Sequence, residues 1–338
     1  MIASDYREQA AAGMAALQRW YRPSSGLWRT AGWWNAANAL TAVIAYTDRT
    51  GDQAHAGVIE TTFRAARRRN ADFVNKYYDD NLWWGLAWAA AFDLTGDSRY
   101  LDAARVIFER CLDGWDDTCG GGLWWSRART YKNAITNELF LTLAARLHQR
   151  VPGDQYYLDW ALREWEWFRA SGMISPGGLV NDGLTGDCAN NGGITWTYNQ
   201  GVILGGLAAL HEITGDPACL ASGEAVADAA LRALVTPAQA DPPGILTEPL
   251  EAGTSPRDGD RPQFKGIFVR HLHDFAQRSG RPAYPAFIQA NARAVWTRAR
   301  NQRDQFGLCW SGPFDRADAS RQSSALDVLN AAIGLAPG

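Results

Sequence analysis

Apolar residues recur at helical spacing along the whole chain, in segments of two alternating kinds. One kind is apolar nearly all round and rich in Ala and Gly, as in ALTAVIAYTD, LAWAAAFDLTGD and GVILGGLAALHEITGD. The other kind has an apolar stripe and a face with Arg and Glu. Apolar helices are predicted near residues 33–48, 79–95, 131–148, 197–213, 264–278 and 320–334, and amphipathic helices near residues 5–21, 53–69, 98–112, 154–169, 217–234 and 282–300.

Consecutive helices are joined in pairs. Three apolar helices end in TGD, where Gly51, Gly96 and Gly215 suit the left-handed residue that follows a helix, and the next Asp can cap the following helix. Because helices that are apolar all round are buried and striped helices lie outside them, six inner and six outer helices predict an all-α fold. We expect six helical hairpins in a closed (α/α)6 barrel, which forms a single domain over residues 1–338.

The connections between the predicted helices differ in length. Those that lead into the apolar helices are long and rich in Gly, Trp and Asp, at residues 22–32, 70–78, 113–130, 170–196, 235–263 and 301–319. In a barrel these loops gather at one end, around the N-termini of the inner helices. Long loops on a rigid scaffold carry binding and catalytic residues, so the functional site is predicted at that end.

Composition excludes several classes of function. A formal net charge of −3 gives no basic field for a nucleic-acid backbone, and the run RAARRRN from Arg64 to Asn70 is typical of a solvated helix end. Nowhere do about 18 uncharged apolar residues follow one another, so no membrane span is predicted. The N-terminus lacks a basic region followed by an apolar run, so we expect a cytoplasmic protein, or a secreted one if a signal peptide has been removed.

Metal and thiol chemistry is poorly represented. Five cysteines are an odd number without CxxC spacing, so we expect reduced thiols rather than a disulfide framework or a zinc site. His271 and His273 point to different faces of a helix, and RDGDRP around Asp258 and Asp260 lacks the remaining ligands of a calcium loop. We therefore expect no metal and no cofactor, and a monomer.

Two adjacent aspartates, Asp79 and Asp80, lie between paired tyrosines and paired tryptophans in YYDDNLWW, at the start of the second apolar helix. One aspartate there would be explained by helix capping, but a pair among aromatic rings is not. Neighbouring carboxylates repel, so one can stay protonated while the other is charged. Their carboxyl groups can lie roughly 5–6 Å apart, which suits glycosidic cleavage with retention of configuration.

A second pair, Asp116 and Asp117, lies in the Gly-rich loop DGWDDTCGGGLWW. Aspartates in such loops most often form turns, so this pair is the weaker catalytic candidate. Other loop ends, such as TAGWWNAAN, RPQFKGIFVRHL and DRADASRQSSALD, place amides, Lys, Arg or Asp beside aromatic rings. That mixture can bind hydroxyl groups while rings stack on sugar faces.

The chain resembles glycoside hydrolase family 76, the α-1,6-mannanase family. The resemblance covers nearly the whole chain through YYDDNLWWGLAW, GGLWW with KNAITNELFL, WTYNQGVILGGL, FKGIFVR and QSSALD. It implies an (α/α)6 barrel and a retaining mechanism, with Asp79 as the nucleophile and Asp80 as the general acid/base. It also implies that Asp182 in NDGL holds the sugar at the cleavage site, with Asp187 nearby as an alternative.

The motifs and loop positions suggest further substrate-binding residues, namely Trp83, Trp125, Asn133, Tyr198, Asn199, Gln200, Lys265 and Arg270. The resemblance implies a substrate of α-mannan or mannooligosaccharides and endo action on α-1,6-linked mannose. Two alternatives stay open: a transglycosylase that uses the same aspartates, and a glycan-binding barrel without turnover. Family members are commonly exported, which contrasts with the cytoplasmic location expected above.

Overall fold

The computed structural model describes residues 3–253 and 258–335, and within them it has twelve α-helices and one short hairpin of two strands. Their bounds are α1 Ala3–Gln18, β1 Tyr21–Arg22, β2 Leu27–Trp28, α2 Trp33–Thr50, α3 Gly57–Arg69, α4 Tyr78–Thr95, α5 Ser98–Leu112, α6 Ala134–Arg150, α7 Tyr156–Ala170, α8 Thr197–Thr214, α9 Pro217–Ala233, α10 Arg261–Ser279, α11 Ala283–Arg298 and α12 Ala319–Ile333.

Each predicted helix is present, and the bounds differ by a few residues where other pairing competes. Helix α1 ends at Gln18 because Tyr21 and Arg22 pair with residues 27–28 of β2 instead of continuing the helix. Helix α6 begins at Ala134, three residues later than predicted, because Asn133 is extended and pairs with Gly183. Helix α3 begins at Gly57, four residues later than predicted, because residues 53–56 form a turn.

The predicted TGD turns are confirmed. Gly51, Gly96 and Gly215 have φ of 73°, 71° and 70°, which is the left-handed region that favours glycine. In each turn the threonine hydroxyl donates to the carbonyl four residues earlier and accepts from the amide of the aspartate. The aspartates then accept backbone amides of the next segment, and Asp97 is the N-cap of α5. The motif thereby ends one helix and directly precedes the next at Asp97 and Asp216, whereas a turn separates Asp52 from α3, which begins at Gly57.

The chain divides into two compact units. Unit 1 comprises residues 1–69, 231–276 and 280–338, and unit 2 comprises residues 70–230 and 277–279. In unit 1, α12 packs against α1, α2 and α11. In unit 2, α4 packs against α5 and α6, and α6 packs against α7 and α8. The single domain expected over residues 1–338 stays a prediction.

Helices of the apolar kind are buried as predicted. All residues of α12 are buried, including its serines, and α8 is buried from Asn199 to Leu210. Helices α6 and α8 approach closely at Gly206, where an added Cβ would lie 3.0 Å from the Leu141 side chain. This close packing fixes the N-terminal ends of neighbouring helices relative to each other within unit 2.

The expectation of reduced thiols is wrong for two cysteines. Cys119 and Cys188 form a disulfide, with their Cα atoms 5.2 Å apart. They are 69 residues apart in sequence and lie in different long loops, so spacing alone gave no signal for the pair. Cys111 and Cys219 are buried free thiols, and Cys309 is a partly exposed one.

No helix within residues 3–253 and 258–335 is long and apolar enough to cross a membrane. In the same part of the chain, no group of three or more His, Cys, Asp or Glu side chains is arranged to hold a metal ion.

Candidate active site

The aspartate pair lies in the first turn of α4. Tyr77 occupies the N-cap position and makes no side-chain capping bond, so neither Asp79 nor Asp80 is the N-cap residue. Asp79 and Asp80 lie two and three positions after Tyr77, in the first turn, where the helix dipole favours negative charge. The capping explanation for the pair is therefore incomplete, because the capping position belongs to another residue.

The Asp79 carboxyl lies beside the Trp125 side chain. Its Oδ2 accepts a hydrogen bond of 3.0 Å from the indole N–H of Trp125, and its Oδ1 is buried with no partner among the described residues. Burial, and then repulsion from Asp80, raise the pKa of Asp79 well above its ordinary value, although Trp125 and first-turn backbone amides favour the charged form. Burial and the neighbouring carboxyl thus favour a protonated Asp79 in the free protein.

Asp80 is held by an asparagine. Its Oδ2 accepts a hydrogen bond of 2.6 Å from Nδ2 of Asn75. Asn75 is fixed in turn by the fully buried Asn81, whose Oδ1 accepts the Asn75 amide at 2.7 Å and whose Nδ2 donates to the Asn75 carbonyl at 3.3 Å. Sequence reasoning missed both asparagines, although they flank the aspartates in NKYYDDN.

The loop that carries Trp125 runs beside the start of α4. The Tyr78 amide donates to the Trp125 carbonyl at 2.9 Å, and the Trp125 amide donates to the Tyr131 carbonyl at 2.7 Å. The Trp125 ring lies 4.9 Å from the Tyr77 ring and is 36% exposed. Trp125 therefore offers an exposed ring face while its N–H stays on Asp79, as a sugar-stacking residue would.

Asp116 of the second pair is engaged in holding its own loop. It accepts hydrogen bonds from Trp124 Nε1 at 2.7 Å, from Lys132 Nζ at 3.0 Å and from the Thr118 amide at 3.0 Å. Burial disfavours its charge, but these bonds outweigh that effect and hold the pKa of Asp116 well below its ordinary value. Lys132 is buried and also donates to carbonyls of the loop, so Asp116 is part of a structural network that holds the loop.

Asp182 lies at the start of α6. Its carbonyl accepts the Ala134 amide at 2.8 Å, and its carboxylate accepts hydrogen bonds from the Tyr131 hydroxyl and the Trp196 side chain. Asn191 donates to the same hydroxyl at 3.0 Å. Burial raises the pKa of Asp182, while both hydrogen bonds lower it. Tyr131 and Asn191 were not predicted, because nothing in their local sequence marks them as partners of Asp182.

Within unit 2, Asp79 and Asp80 thus lie in the first turn of α4 with Trp125 beside them. Asp182 lies at the start of α6 and accepts a hydrogen bond from Trp196, the residue before α8. A family model described as glycosyl hydrolase family 76 matches residues 5–336. The chain belongs to glycosyl hydrolase family 76.

Known proteins share sequence with this chain. Mannan endo-1,6-alpha-mannosidase DCW1 of Saccharomyces cerevisiae is 30% identical over 273 residues, which cover 74% of this chain and 59% of that protein. The chain thus spans about three fifths of the length of that relative.

Solved structures of similar proteins match nearly the whole chain. An inactive variant of the alpha-1,6-mannanase GH76A from Salegentibacter sp., with two consecutive aspartates replaced by alanine and alpha-1,6-mannotetrose bound, has a TM-score of 0.86 and 24% identity and covers 98% of this chain and 99% of that one. Dfg5 from Chaetomium thermophilum, in complex with glucosamine, has a TM-score of 0.87 and 21% identity, covering 99% and 92%. The predicted all-α, (α/α)6-barrel fold class is thereby confirmed.

Other residues that the family motifs suggested lie close to the start of α6 and α8. Gln200 is buried and binds the amide and carbonyl of Val180 at 2.7 and 2.8 Å, so it ties the segment before Asp182 to α8. Asn133 and Asn199 are buried, and the side-chain oxygen of each has no partner among the described residues.

The last three positions suggested in unit 2 differ in exposure. Trp83 is buried in α4, and Tyr198 is partly exposed in the first turn of α8. Asp187, the alternative to Asp182, is exposed in a turn. Burial and hydrogen bonding therefore distinguish Asp182 from Asp187.

Lys265 and Arg270 of family motif FKGIFVR lie in unit 1, where their charges are engaged. Lys265 is buried and donates to Glu251 Oε1 at 2.6 Å and to the Leu308 carbonyl at 2.7 Å. Arg270 pairs with Asp327 at 3.2 Å and donates to an amide oxygen of the same unit at 2.7 Å. Both charged groups are therefore engaged by partners in unit 1, and their role in substrate binding stays a prediction.

Glu138 is a buried carboxyl that sequence reasoning missed. It lies one turn below Ala134 in α6, it is 0% exposed, and neither carboxyl oxygen has a partner in the described part of the chain. Burial, and then repulsion from Asp182, raise the pKa of Glu138 well above its ordinary value. The only sequence signal was a charged residue in KNAITNELF directly before the apolar residues Leu139 and Phe140.

Proposed function

We propose that this chain is a retaining glycoside hydrolase that cleaves α-1,6-linked mannose chains at internal linkages. The observation that carries the proposal is the Asp79–Asp80 pair, in which one carboxyl lies against Trp125 and the other is held by Asn75. Membership of glycosyl hydrolase family 76 supports it, as do relatives described as mannan endo-1,6-alpha-mannosidases and a neighbour that binds alpha-1,6-mannotetrose.

In the first step, the Asp79 carboxylate attacks the anomeric carbon of a mannosyl unit. Asp80 donates its proton to the departing O6 of the next mannose, so the C1–O6 bond breaks as the C1–Asp79 ester forms. The hydrogen bond from Asn75 fixes the direction of the Asp80 carboxyl, and the hydrogen bond from Trp125 leaves one Asp79 oxygen for attack.

The position of one shared proton governs this step. Burial favours the proton on Asp79 in the free protein, whereas attack needs it on Asp80. Because the carboxyls repel each other, they titrate as a pair, and a sugar bound over Asp79 needs only to move the proton within that pair. The Trp125 N–H and the amide of Asp80 favour the charged form of Asp79 that attacks.

In the second step, Asp80, now a carboxylate, takes a proton from water as the water oxygen attacks C1, which releases the mannooligosaccharide with Asp79 as the leaving group. Two inversions at C1 give net retention. The Asp182 carboxylate accepts hydrogen bonds from hydroxyl groups of the sugar at the cleavage site, and the exposed face of Trp125 stacks on a sugar ring.

Digestion of α-1,6-mannotetraose, followed by proton NMR from the first minutes, tests the proposal. We expect cleavage of an internal linkage, with the α-anomer of the product released first. Initial release of the β-anomer would refute retention. Transfer of the mannosyl unit to an added mannoside in preference to water would identify a transglycosylase, and binding without product would identify a glycan-binding barrel.

A further inference from the structure

The disulfide joins the two loops of unit 2 that carry the candidate site. Cys119 lies in the turn Thr118–Gly120 of the loop over residues 113–133, here called the Trp125 loop. Cys188 lies at the tip of a hairpin over residues 182–191, here called the Asp182 hairpin, in which Leu184 pairs with Asn190. The covalent link therefore connects the loop that contacts Asp79 to the hairpin that begins with Asp182.

The base of the Asp182 hairpin is well bonded. Gly183 pairs with Asn133, the Asn191 amide donates to the Gly183 carbonyl at 3.0 Å, and Asn191 Nδ2 donates to the Tyr131 hydroxyl at 3.0 Å. The same hydroxyl binds the Asp182 carboxylate. Any movement of the hairpin base therefore moves a donor that orients Asp182.

The tip of the Asp182 hairpin has few contacts of its own. Residues 185–189 are exposed, and their hydrogen bonds stay inside the turn, from the Thr185 amide to the Ala189 carbonyl at 2.8 Å and from the Cys188 amide to the Thr185 carbonyl at 3.0 Å. Within the described residues, the disulfide joins this tip to the Trp125 loop, while Asn190, directly after the tip, donates to the Gly172 carbonyl at 2.9 Å.

The Cys119 side of the link is firmly held. The Cys119 carbonyl accepts from Trp167 Nε1 of α7 at 3.0 Å. The buried Lys132 ammonium donates to the flanking carbonyls of Thr118 and Gly121, both at 2.7 Å. The disulfide thus joins an exposed tip to a well-bonded segment, so Cys119 restricts the movement of Cys188.

We propose that the Cys119–Cys188 disulfide positions Asp182 for sugar binding, so that the oxidised protein is the form with full affinity for its substrate. This inference rests on the proposed function. Disulfides persist in oxidising compartments and are rare in reducing ones, so the protein acts outside the reducing cytoplasm. The exposed Cys188 makes the bond accessible to a soluble dithiol.

The experiment compares oxidised and reduced wild-type protein. Dithiothreitol supplies two electrons and two protons, which convert the disulfide to two thiols while the reagent closes to its cyclic disulfide. Thiol counting in denaturant should give three free thiols before reduction and five after it, since Cys111, Cys219 and Cys309 are already free. Five thiols before reduction would overturn the proposal at once.

Hydrolysis of α-1,6-mannotriose then separates positioning from chemistry. We expect reduction to raise KM roughly 5- to 10-fold, because a loosened hairpin must be ordered again when the sugar binds. The value of kcat should fall much less, because the contacts of Asp79 and Asp80 with Trp125 and Asn75 do not involve the hairpin. Unchanged KM in protein with five counted thiols would contradict the proposal.

Variants separate the disulfide from side effects of the reagent. The double variant C119S/C188S should reproduce the raised KM without dithiothreitol and should not respond to it. C309S is the matched control, because it removes a partly exposed thiol of unit 1 and should keep both the wild-type KM and the response. If activity falls only in proportion to the unfolded fraction, measured by circular dichroism, the disulfide merely stabilises the fold and the proposal fails.

Hydrogen exchange gives a readout that does not depend on turnover. Reduction should increase amide exchange at residues 183–191 and leave the first turn of α4 unchanged. If the wild type neither binds nor cleaves mannooligosaccharides, the proposed function fails, and this exchange pattern still decides whether the disulfide orders the hairpin. Equal exchange in both redox forms would overturn the positioning role.

Discussion

Two adjacent aspartate pairs occur in unit 2, and their first members have opposite environments. Asp79 meets an indole N–H, helix amides and a second carboxyl, and burial raises its pKa. Asp116 meets the Lys132 ammonium, an indole N–H and a backbone amide, and its pKa is lowered. Each has a tryptophan donor, so the difference lies chiefly in the deeper burial of Asp79 and in the cation beside Asp116.

That difference separates a chemical role from a structural one. A carboxylate paired with a buried ammonium is stabilised as an anion and gives up its hydrogen-bonding capacity to the protein. A carboxyl beside another carboxyl keeps an exchangeable proton in the pair and retains an oxygen for substrate. The dipeptide is the same in both places, so the surrounding residues determine its role.

The largest expected effect is on catalysis. Asp79→Asn and Asp80→Asn should each lower kcat by about 10³-fold or more, since each removes a nucleophile or a proton donor. Asp116→Asn and Asp117→Asn are the matched controls and should keep most of the activity at a temperature where they are folded. Initial rates with α-1,6-mannotetraose check this, and near-normal turnover by either variant of the first pair would contradict it.

The next effect is on stability. Lys132→Met removes an ammonium that Asp116 and several loop carbonyls share, and breaking such a buried pair typically costs about 3 kcal/mol. Urea unfolding should show a decrease of about that size. Lys76→Met, which alters an exposed lysine over the Tyr77 ring, is the control with a small effect. Equal stability of both variants would mean that the loop does not depend on Lys132.

A smaller effect has opposite signs in the two pairs. Because the pKa of Asp79 is raised, its contribution to stability is fully present below the unfolded pKa of about 3.9 and is lost as pH rises through the folded pKa. Asp116, with a lowered pKa, contributes stability above about 3.9 that is lost as pH falls through its folded pKa. Urea unfolding at pH 7 should therefore find Asp79→Asn more stable than wild type and Asp116→Asn less stable.

The comparison fails if Asp79→Asn destabilises the protein at pH 7 as Asp116→Asn does. Repeating the measurement at pH 3.5 sharpens it, because the gain of Asp79→Asn should shrink there as wild-type Asp79 is protonated in both states.

The smallest effect is on the pH dependence of the reaction. The pair is active with one proton, which burial favours on Asp79 in the free protein, so loss of this proton should set the alkaline limb of kcat/KM, above the ordinary range of an aspartate. Trp125→Phe removes a hydrogen bond that favours the charged form and should move this limb to higher pH. Trp124→Phe is the control, because its N–H belongs to Asp116 and should leave the limb in place. A limb unmoved by Trp125→Phe would contradict the role of that hydrogen bond.

Local pattern predicted most of the fold. Helix periodicity predicted the twelve helices of the described residues, and the TGD motif predicted the left-handed turns at Gly51, Gly96 and Gly215. Both signals depend on residues that are close in sequence. Helix ends were less accurate at Gln18, where the hairpin that follows competes for the backbone, and at Ala134, where the distant Gly183 pairs with the preceding residue.

The candidate site was predicted in part, for the same physical reason. Asp79 and Asp80 stand out because like charges among aromatic rings need an explanation. The partners of Asp182, namely Tyr131 and Asn191, come from separate loops and have no local signature. The disulfide between Cys119 and Cys188 is likewise a consequence of how the loops meet.

Covalent trapping tests the central claim most directly. A fluorinated mannosyl fluoride that forms the glycosyl-enzyme but releases it slowly should label the protein once, and peptide mass spectrometry should find the added mass on Asp79. Label on Asp116 or Asp117 would reverse the distinction between the two pairs, and label on Asp80 would exchange the roles within the first. Turnover of mannotetraose without any trapped ester would contradict the covalent mechanism.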